Sequence, residues 1–272
     1  MFSLIGNKIS PARTRLWRSL FSRADPNINV RGVPLPPDGI LFMDSTPQKG
    51  LRNGIAFAKL FAELGLNVET GTVLDVGCGW GRLAYGLLDQ GFAGQYIGID
   101  IIKPRIKWLV RHFSSRQPRY TFRFNDVKNS WYNPSGTKSR INFNELPKPD
   151  TIVLVSVFTH MYENDVATYL KDLSAIMSPG SSLVFTCFLF DGPAEEKIAK
   201  KQATRLFTHK LSDDCRYDCL SNPLAAIAYT ETKIMGLLTS AGLTGRIIRG
   251  RWAGIKTPQN SPQDIVIARR AP

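Results

Sequence analysis

Alternating strand and helix patterns from Gly50 onward predict an α/β chain. Its sheet is mostly parallel and doubly wound, with helices on both faces. Three observations carry that prediction. Short apolar runs alternate with segments of helical periodicity. Residues 151–157 are apolar almost throughout, as expected of a strand covered on both faces. One strand runs directly into a glycine turn and a helix, Val73-Leu74-Asp75-Val76-Gly77-Cys78-Gly79-Trp80-Gly81-Arg82. Sheets of this kind bind ligands beyond the carboxyl ends of their strands.

The elements follow in order. Residues 1–49 are rich in proline, glycine and arginine, with Val33-Pro34-Leu35-Pro36-Pro37 as a stiff extended piece. They read as a basic arm ahead of a domain over 50–272. Ile55, Phe57, Ala58, Leu60, Phe61 and Leu64 form a helical stripe that ends at Gly65. A strand is predicted over 72–76, a helix over 82–90 closed by Gly91, and a strand over 95–99. In the next helix, 104–113, Ile106, Leu109, Val110 and Phe113 share one side, while Lys103, Lys107 and Arg111 line another. A strand over 120–124 and a loop through Pro149 lead to the apolar strand over 151–157. Asn164 or Asp165 caps a helix whose stripe is Val166, Tyr169, Leu170, Leu173, Ile176 and Met177, and Ser178-Pro179-Gly180 stops it. A strand over 182–189, a charged helix from Pro193, a helix over 230–241 ended by Gly242, and strands over 246–249 and 264–268 complete the chain.

Composition excludes several classes. With 43% hydrophobic and 21% charged residues, the chain is neither disordered nor a fibrous or disulfide scaffold. The cysteines at 78, 187, 215 and 219 make no Cys-x-x-Cys pair, and none of the three histidines follows at ligand spacing, so no metal site is expected. No apolar run approaches the ~18–20 residues of a membrane span, and the first residues lack a secretory apolar core. A cytoplasmic protein is the expectation. The charge of +13 raises nucleic acid and anionic membrane as partners. Aromatic residues do not interleave with the basic ones, so nucleic-acid binding is not indicated by this pattern alone. Leu16, Trp17, Leu20 and Phe21 among arginines suit either an arm lying on the inner face of an anionic membrane or packing on the same domain or a second subunit.

The glycine turn has the spacing G-x-G-x-G. A dinucleotide fingerprint would need its third glycine where Arg82 stands, and no Lys-Ser/Thr follows as in a P-loop. Gly77 and Gly79 let the backbone pass close to a ligand, with the small Cys78 beside it, and Asp75 can accept from an ammonium group. Asp100 ends the next strand in Tyr96-Ile97-Gly98-Ile99-Asp100, where a carboxylate can take both hydroxyls of a ribose. Asp126, after the third strand, can accept from an adenine amino group or serve only as a cap. Three acids after three successive strands suit a ligand with an amino acid end, a ribose and an adenine. S-adenosylmethionine is that ligand.

The L-D-V-G-C-G-W-G-R run, the I-G-I-D strand end and the Ser178-Pro179-Gly180 loop resemble the class I S-adenosylmethionine-dependent methyltransferases over residues 50–190. The resemblance implies the Rossmann-like methyltransferase fold, a seven-stranded sheet whose last strand is antiparallel. It also implies cofactor contacts from Asp75, Gly77, Cys78, Gly79, Asp100 with Ile101, and Asp126 with Val127. The Asn/Asp-Pro-Pro-Tyr/Phe run of amino-methylating nucleic-acid enzymes is missing after the fourth strand, where Ser156-Val157-Phe158-Thr159-His160-Met161 stands instead. Cys187 falls inside a strand, which removes cytosine C5 methylation, and Ser156 and Val157 cannot hold a metal.

Metal-free transfer to a small molecule or glycan remains. The segments around 156–161 and 188–191, with Gly250-Arg251-Trp252 and Gln263-Asp264-Ile265-Val266, resemble a bacterial subgroup associated with glycan modification. A sugar hydroxyl would profit from a general base worth roughly 10²–10⁴ in rate. His160 is the first candidate, either as base or as a loop-positioning residue, followed by Asp191 and His209. Tyr162 and Trp252 either line an acceptor pocket or pack in the core. The insertion over 191–229 follows the fifth strand and is placed to act as a lid. An RNA methyltransferase, or a binding module without catalysis, are the competing readings.

Overall fold

The computed structural model describes residues 29–41, 46–129 and 132–271. The amphipathic segment around Trp17 lies outside the described residues. A two-stranded hairpin, β1 (Asn29–Val30) and β2 (Val33–Pro34), comes first, then helix α1 (Pro47–Glu63). Thr46 caps α1 by accepting from the Lys49 N–H at 3.2 Å, with proline in the first turn where no N–H is needed. Strands β3 (Thr72–Val76), β4 (Gln95–Asp100) and β5 (Tyr120–Phe124) alternate with helices α2 (Arg82–Asp89) and α3 (Lys103–Leu109), the last extended by a π-helical turn. The second half runs β6 (Thr151–Leu154), α4 (Glu163–Ile176), β7 (Ser182–Cys187) and α5 (Pro193–Ala199). Short strands β8 (His209–Ser212), β9 (Cys215–Tyr217) and β10 (Ile227–Tyr229) precede α6 (Glu231–Ser240), β11 (Leu243–Ile248) and β12 (Asp264–Arg270).

Seven strands form one sheet in the order β11-β12-β7-β6-β3-β4-β5. Pairs β6/β7, β3/β6, β3/β4 and β4/β5 are parallel, and β12, inserted between β7 and β11, runs antiparallel to both. This is the expected sheet with its reversed last strand. The order turns around at β3, whose neighbours β4 and β6 carry the chain to opposite sides of the sheet and leave a crevice at their carboxyl ends. Apolar residues cover both faces, one cluster built around Phe61, Tyr85 and Phe113 and the other around Phe158, Leu170 and Phe185. Helices α1 and α2 cross in close contact: a Cβ on Gly86 would stand 2.2 Å from the Gly54 carbonyl oxygen, so neither position has room for a side chain.

Two boundaries differ from the sequence reading. The domain begins well before residue 50, because Val30, Val33, Leu35, Ile40 and Leu41 are buried in the first core cluster. The Tyr85 hydroxyl donates to the Pro34 carbonyl at 2.6 Å, so the proline-rich stretch is a structural edge and not a free arm. Strand β6 stops at Leu154 and not at 157. Ser156 takes a left-handed backbone conformation (φ 59°), and its N–H donates to Thr186 Oγ1 at 2.8 Å, which lifts the chain out of the sheet above β3.

The insertion over 191–229 packs against the domain through a third apolar cluster. It carries α5 and a separate antiparallel sheet in the order β10-β9-β8. Phe207 from this insertion contacts Phe188 and Trp252 with ring centroids 5.2 and 5.4 Å apart, within this cluster. Trp252 therefore belongs to the core. Lys103, Lys107 and Arg111 form a solvated helix face. Among the described residues no helix is long and apolar enough to cross a membrane.

Candidate active site

The glycine turn after β3 folds over the end of β4. Gly77 and Cys78 both donate their N–H to the Ile99 carbonyl, at 2.8 and 3.0 Å. Gly77 sits at φ 77°, and a Cβ there would lie 2.6 Å from Val157 Cγ2, so conformation and space both demand glycine. Asp100 locks the turn from the other strand. One carboxylate oxygen accepts from the Gly79 N–H at 2.8 Å and the other from the Ile102 N–H at 2.7 Å. A carboxylate has about four acceptor sites, so both oxygens keep a lone pair for a ligand hydroxyl.

Next to this turn lies a cavity of about 300 Å³. One end is made by Gly77, Cys78, Gly79, Asp100 and Ile101, and the other by Val157, His160, Phe188, Arg205, Ala226 and Gln263. Asp100 and Phe188 stand at the ends of β4 and β7, three strand spacings apart, or about 14 Å at ~4.8 Å each. The cavity is therefore long enough to take two ligand parts side by side. Val155, Val157 and Met161 give it an apolar lining.

Of the sequence candidates, the structure brings Gly77, Cys78, Gly79, Asp100, Ile101 and His160 to this cavity. His160 follows the bent segment after β6. Its Nδ1 is 2.9 Å from the Leu224 carbonyl, which accepts and so must face an N–H; the acceptor lone pair of the neutral ring is then on Nε2. Burial, aided by the charge of Arg205, holds the His160 pKa below the usual histidine value, while the Leu224 carbonyl opposes this. The Tyr132 ring meets the imidazole edge-on at 6.1 Å. Cys78 is buried and burial pushes its thiol well above the ordinary range, which makes it a packing residue beside the turn.

Six candidates stand elsewhere. Asp126 turns its carboxylate to Asn133 Nδ2 (3.1 Å) and Thr137 Oγ1 (2.8 Å), fastening the following loop, and neither it nor Val127 lines the cavity. Asp191 accepts from the Glu231 N–H at 2.8 Å and pairs with Arg249, joining β7 to the start of α6. His209 stacks on Tyr217 at 5.1 Å in the small sheet. Tyr162 is exposed beyond the site. Asp75 lies beneath the turn, 3% exposed, and accepts from the Tyr96 hydroxyl at 2.5 Å.

Burial raises the Asp75 pKa to about 7, against the opposing hydrogen bond from Tyr96 and the charge of Arg82. A carboxyl whose folded pKa lies above its unfolded value favours folding most below pH ~4, and that contribution is lost as pH rises through about 7. Urea unfolding across pH 4–8 should therefore show wild type losing several kcal/mol relative to Asp75→Asn, with the difference level above pH 8. Parallel curves for the two proteins would mean that Asp75 ionises freely.

Several cavity residues carried little or no functional signal in the sequence. Arg205 comes from the insertion, Tyr132 from the loop after β5, and Gln263 from the turn into β12. Gln263 Oε1 accepts from Ser156 Oγ at 3.0 Å and Thr186 Oγ1 at 2.5 Å, so two distant chain segments fix one amide. Only the composition of the insertion, with its run of Lys and Arg, hinted at Arg205.

Comparison with known proteins agrees with this geometry. A family described as "Methyltransferase domain" matches residues 50–244. Among solved structures, magnesium protoporphyrin IX methyltransferase from Synechocystis PCC 6803, crystallised with bound SAH, superposes with a TM-score of 0.52 at 16% identity, covering 96% of this chain and 95% of that one. The CcbJ methyltransferase from Streptomyces caelestis gives 0.54 at 16% identity, covering 81% and 90%. Mitomycin 7-O-methyltransferase MmcR gives 0.55 at 17% identity, covering 96% and 69%. At these identities the solved structures establish the fold, and the family match covers most of the chain. With its glycine turn, its Asp100 clasp and its sheet order, this chain belongs to the methyltransferase-domain family, enzymes of the class that uses S-adenosylmethionine as methyl donor.

Proposed function

We propose that this enzyme methylates a hydroxyl of a small molecule or of a glycan end, without a metal, using His160 as general base. The carrying observation is the tautomer that the Leu224 carbonyl imposes on His160 at the edge of the cavity. Bound S-adenosylmethionine supplies an electrophilic sulfonium methyl group. The residues present suit that molecule: a backbone turn without side chains at Gly77 and Gly79, and a carboxylate at Asp100 with spare lone pairs for a ribose diol. Asp126 does not line the cavity, whereas Ile101 and Ile102 do and are the better flank for an adenine face.

On the acceptor side, Phe188, Val157 and Met161 exclude water and hold an apolar body, while His160 Nε2 takes the hydroxyl proton. A positioned base of this kind is worth ~10²–10⁴ in rate, and alignment between packed walls supplies more. Because the His160 pKa is lowered, the ring is neutral at pH 7 and competent as a base. His160→Gln should lower kcat at least tenfold while S-adenosylmethionine affinity changes less than threefold. It should also remove the acid-side fall in rate that wild type shows below the ordinary histidine range, the direction set by burial of the ring. Methyl-labelled cofactor with fractionated cell extract identifies the acceptor class. An unchanged rate in the variant would leave His160 as a loop-positioning residue, and label entering RNA would replace the acceptor assignment.

A further inference from the structure

The acceptor end of the cavity is built from donors. Arg205 lies there on the face of Phe188, its guanidinium carbon 5.8 Å from the ring centroid. Its Nη1 donates to Asp218 at 2.8 Å, and the other Asp218 oxygen accepts from the Leu206 and Phe207 N–H groups, both at 3.3 Å. Asp218 thus anchors one terminal nitrogen of the guanidinium and is itself held by two backbone N–H groups. Among the described residues this is the one protein acceptor that Arg205 engages, so most of its five N–H donors are left for the cavity. Gln263 adds to this wall. Thr186 Oγ1 accepts from the Ser156 N–H, which directs the Thr186 proton to Gln263 and assigns the amide oxygen to that side. The Gln263 NH₂ is then the polar group left to face the cavity it lines. No carboxylate stands among the lining residues at this end, since Asp100 belongs to the other.

From this arrangement we infer that the acceptor carries an oxyanion, a carboxylate or a phosphate, gripped by Arg205 and assisted by the Gln263 amide. The inference rests on the reading of this end of the cavity as the acceptor site. Arg205 presents a planar fork that matches two oxygens of one anionic group, and Phe188 lies beneath its cation. The same cation reaches His160, whose pKa it helps to lower, so its field is felt across the site despite Asp218. An anion docked on Arg205 places the rest of the acceptor over Phe188 and toward His160.

The test is a calorimetric titration of the full chain, with and without saturating S-adenosylhomocysteine. The probes are 4-hydroxybenzoate, phenyl phosphate and the neutral 4-hydroxybenzamide. Wild type should bind at least one of the two anions tenfold or more tighter than the amide, and the identity of the preferred anion separates carboxylate from phosphate acceptors. Arg205→Gln should bring that ratio below two. Arg205→Lys keeps the ion pair with Asp218, guards against a folding defect and should give an intermediate ratio. Equal binding of acid and amide by wild type, no binding of any probe, or a preference that survives in Arg205→Gln overturns the proposal. Failure of wild type to bind S-adenosylhomocysteine is a separate result, because it removes the donor-site reading while the anion preference is still measured in protein alone.

Discussion

Asp100→Ala should weaken S-adenosylmethionine binding by about two to four orders of magnitude. The carboxylate ends β4 at the mouth of the cavity, and its two oxygens each hold one backbone N–H of the turns on either side, Gly79 and Ile102. A ribose diol would add two more hydrogen bonds to the same charged group. Bonds to a charged acceptor contribute ~1.5–3 kcal/mol each, so losing two removes about 3–6 kcal/mol. Asp100→Asn retains one acceptor oxygen and replaces the other with a donor facing an N–H, so it should fall between wild type and alanine. Calorimetry with S-adenosylmethionine and S-adenosylhomocysteine reads both variants. The thermal midpoint without ligand separates binding from loosening of the turn. Binding by Asp100→Ala within threefold of wild type would place the ribose elsewhere and remove the basis of the site assignment.

Asp264→Ala should be the most destabilising single change, at about 3–5 kcal/mol. Asp264 is 1% exposed and accepts three buried donors: the Leu189 N–H at 2.8 Å, the Gly250 N–H at 2.7 Å and Trp252 Nε1 at 2.7 Å. It thereby joins the start of β12 to the exit of β7 and to the turn that carries Trp252. Alanine strands all three donors, and each unsatisfied buried group costs ~1–3 kcal/mol. A domain of ordinary stability has ~5–15 kcal/mol in total, so the loss is a large part of it. Urea unfolding should show a lower midpoint with an unchanged slope. The cavity should suffer as well, since Gln263 is the next residue. A midpoint shift worth less than 1 kcal/mol would show that water replaces the carboxylate.

The glycine turn and Asp100 were legible because strand, turn and helix are local patterns. An apolar strand feeding Gly77 and Gly79 leaves the backbone few conformations, and an acid at the end of the adjacent parallel strand must meet that turn. The same logic does not extend to Asp126, which stands outside the cavity lining. An acid after a strand can serve a ligand or fasten its own loop, and here the carboxylate bonds Asn133 and Thr137 of that loop. Asp191 and His209 were placed near the site by strand order, yet Asp191 is taken by the start of α6 and His209 by Tyr217. The proline-rich stretch read as an arm because single buried residues such as Val33 and Leu35 show no period when they pack under a hairpin.

The order of apolar periods and glycine stops determined the α/β class, the reading of the cofactor end and the candidacy of His160, since steric and hydrophobic preferences act within a few residues of one another. The acceptor end was decided only by folding. Arg205, Phe188 and Gln263 come from distant segments, and each owes its direction to a partner on another element, Asp218, Trp252 and Thr186. Side-chain bonding is chosen among whatever groups the packed loops bring within about 3 Å, and that neighbourhood exists only once the strand ends are covered.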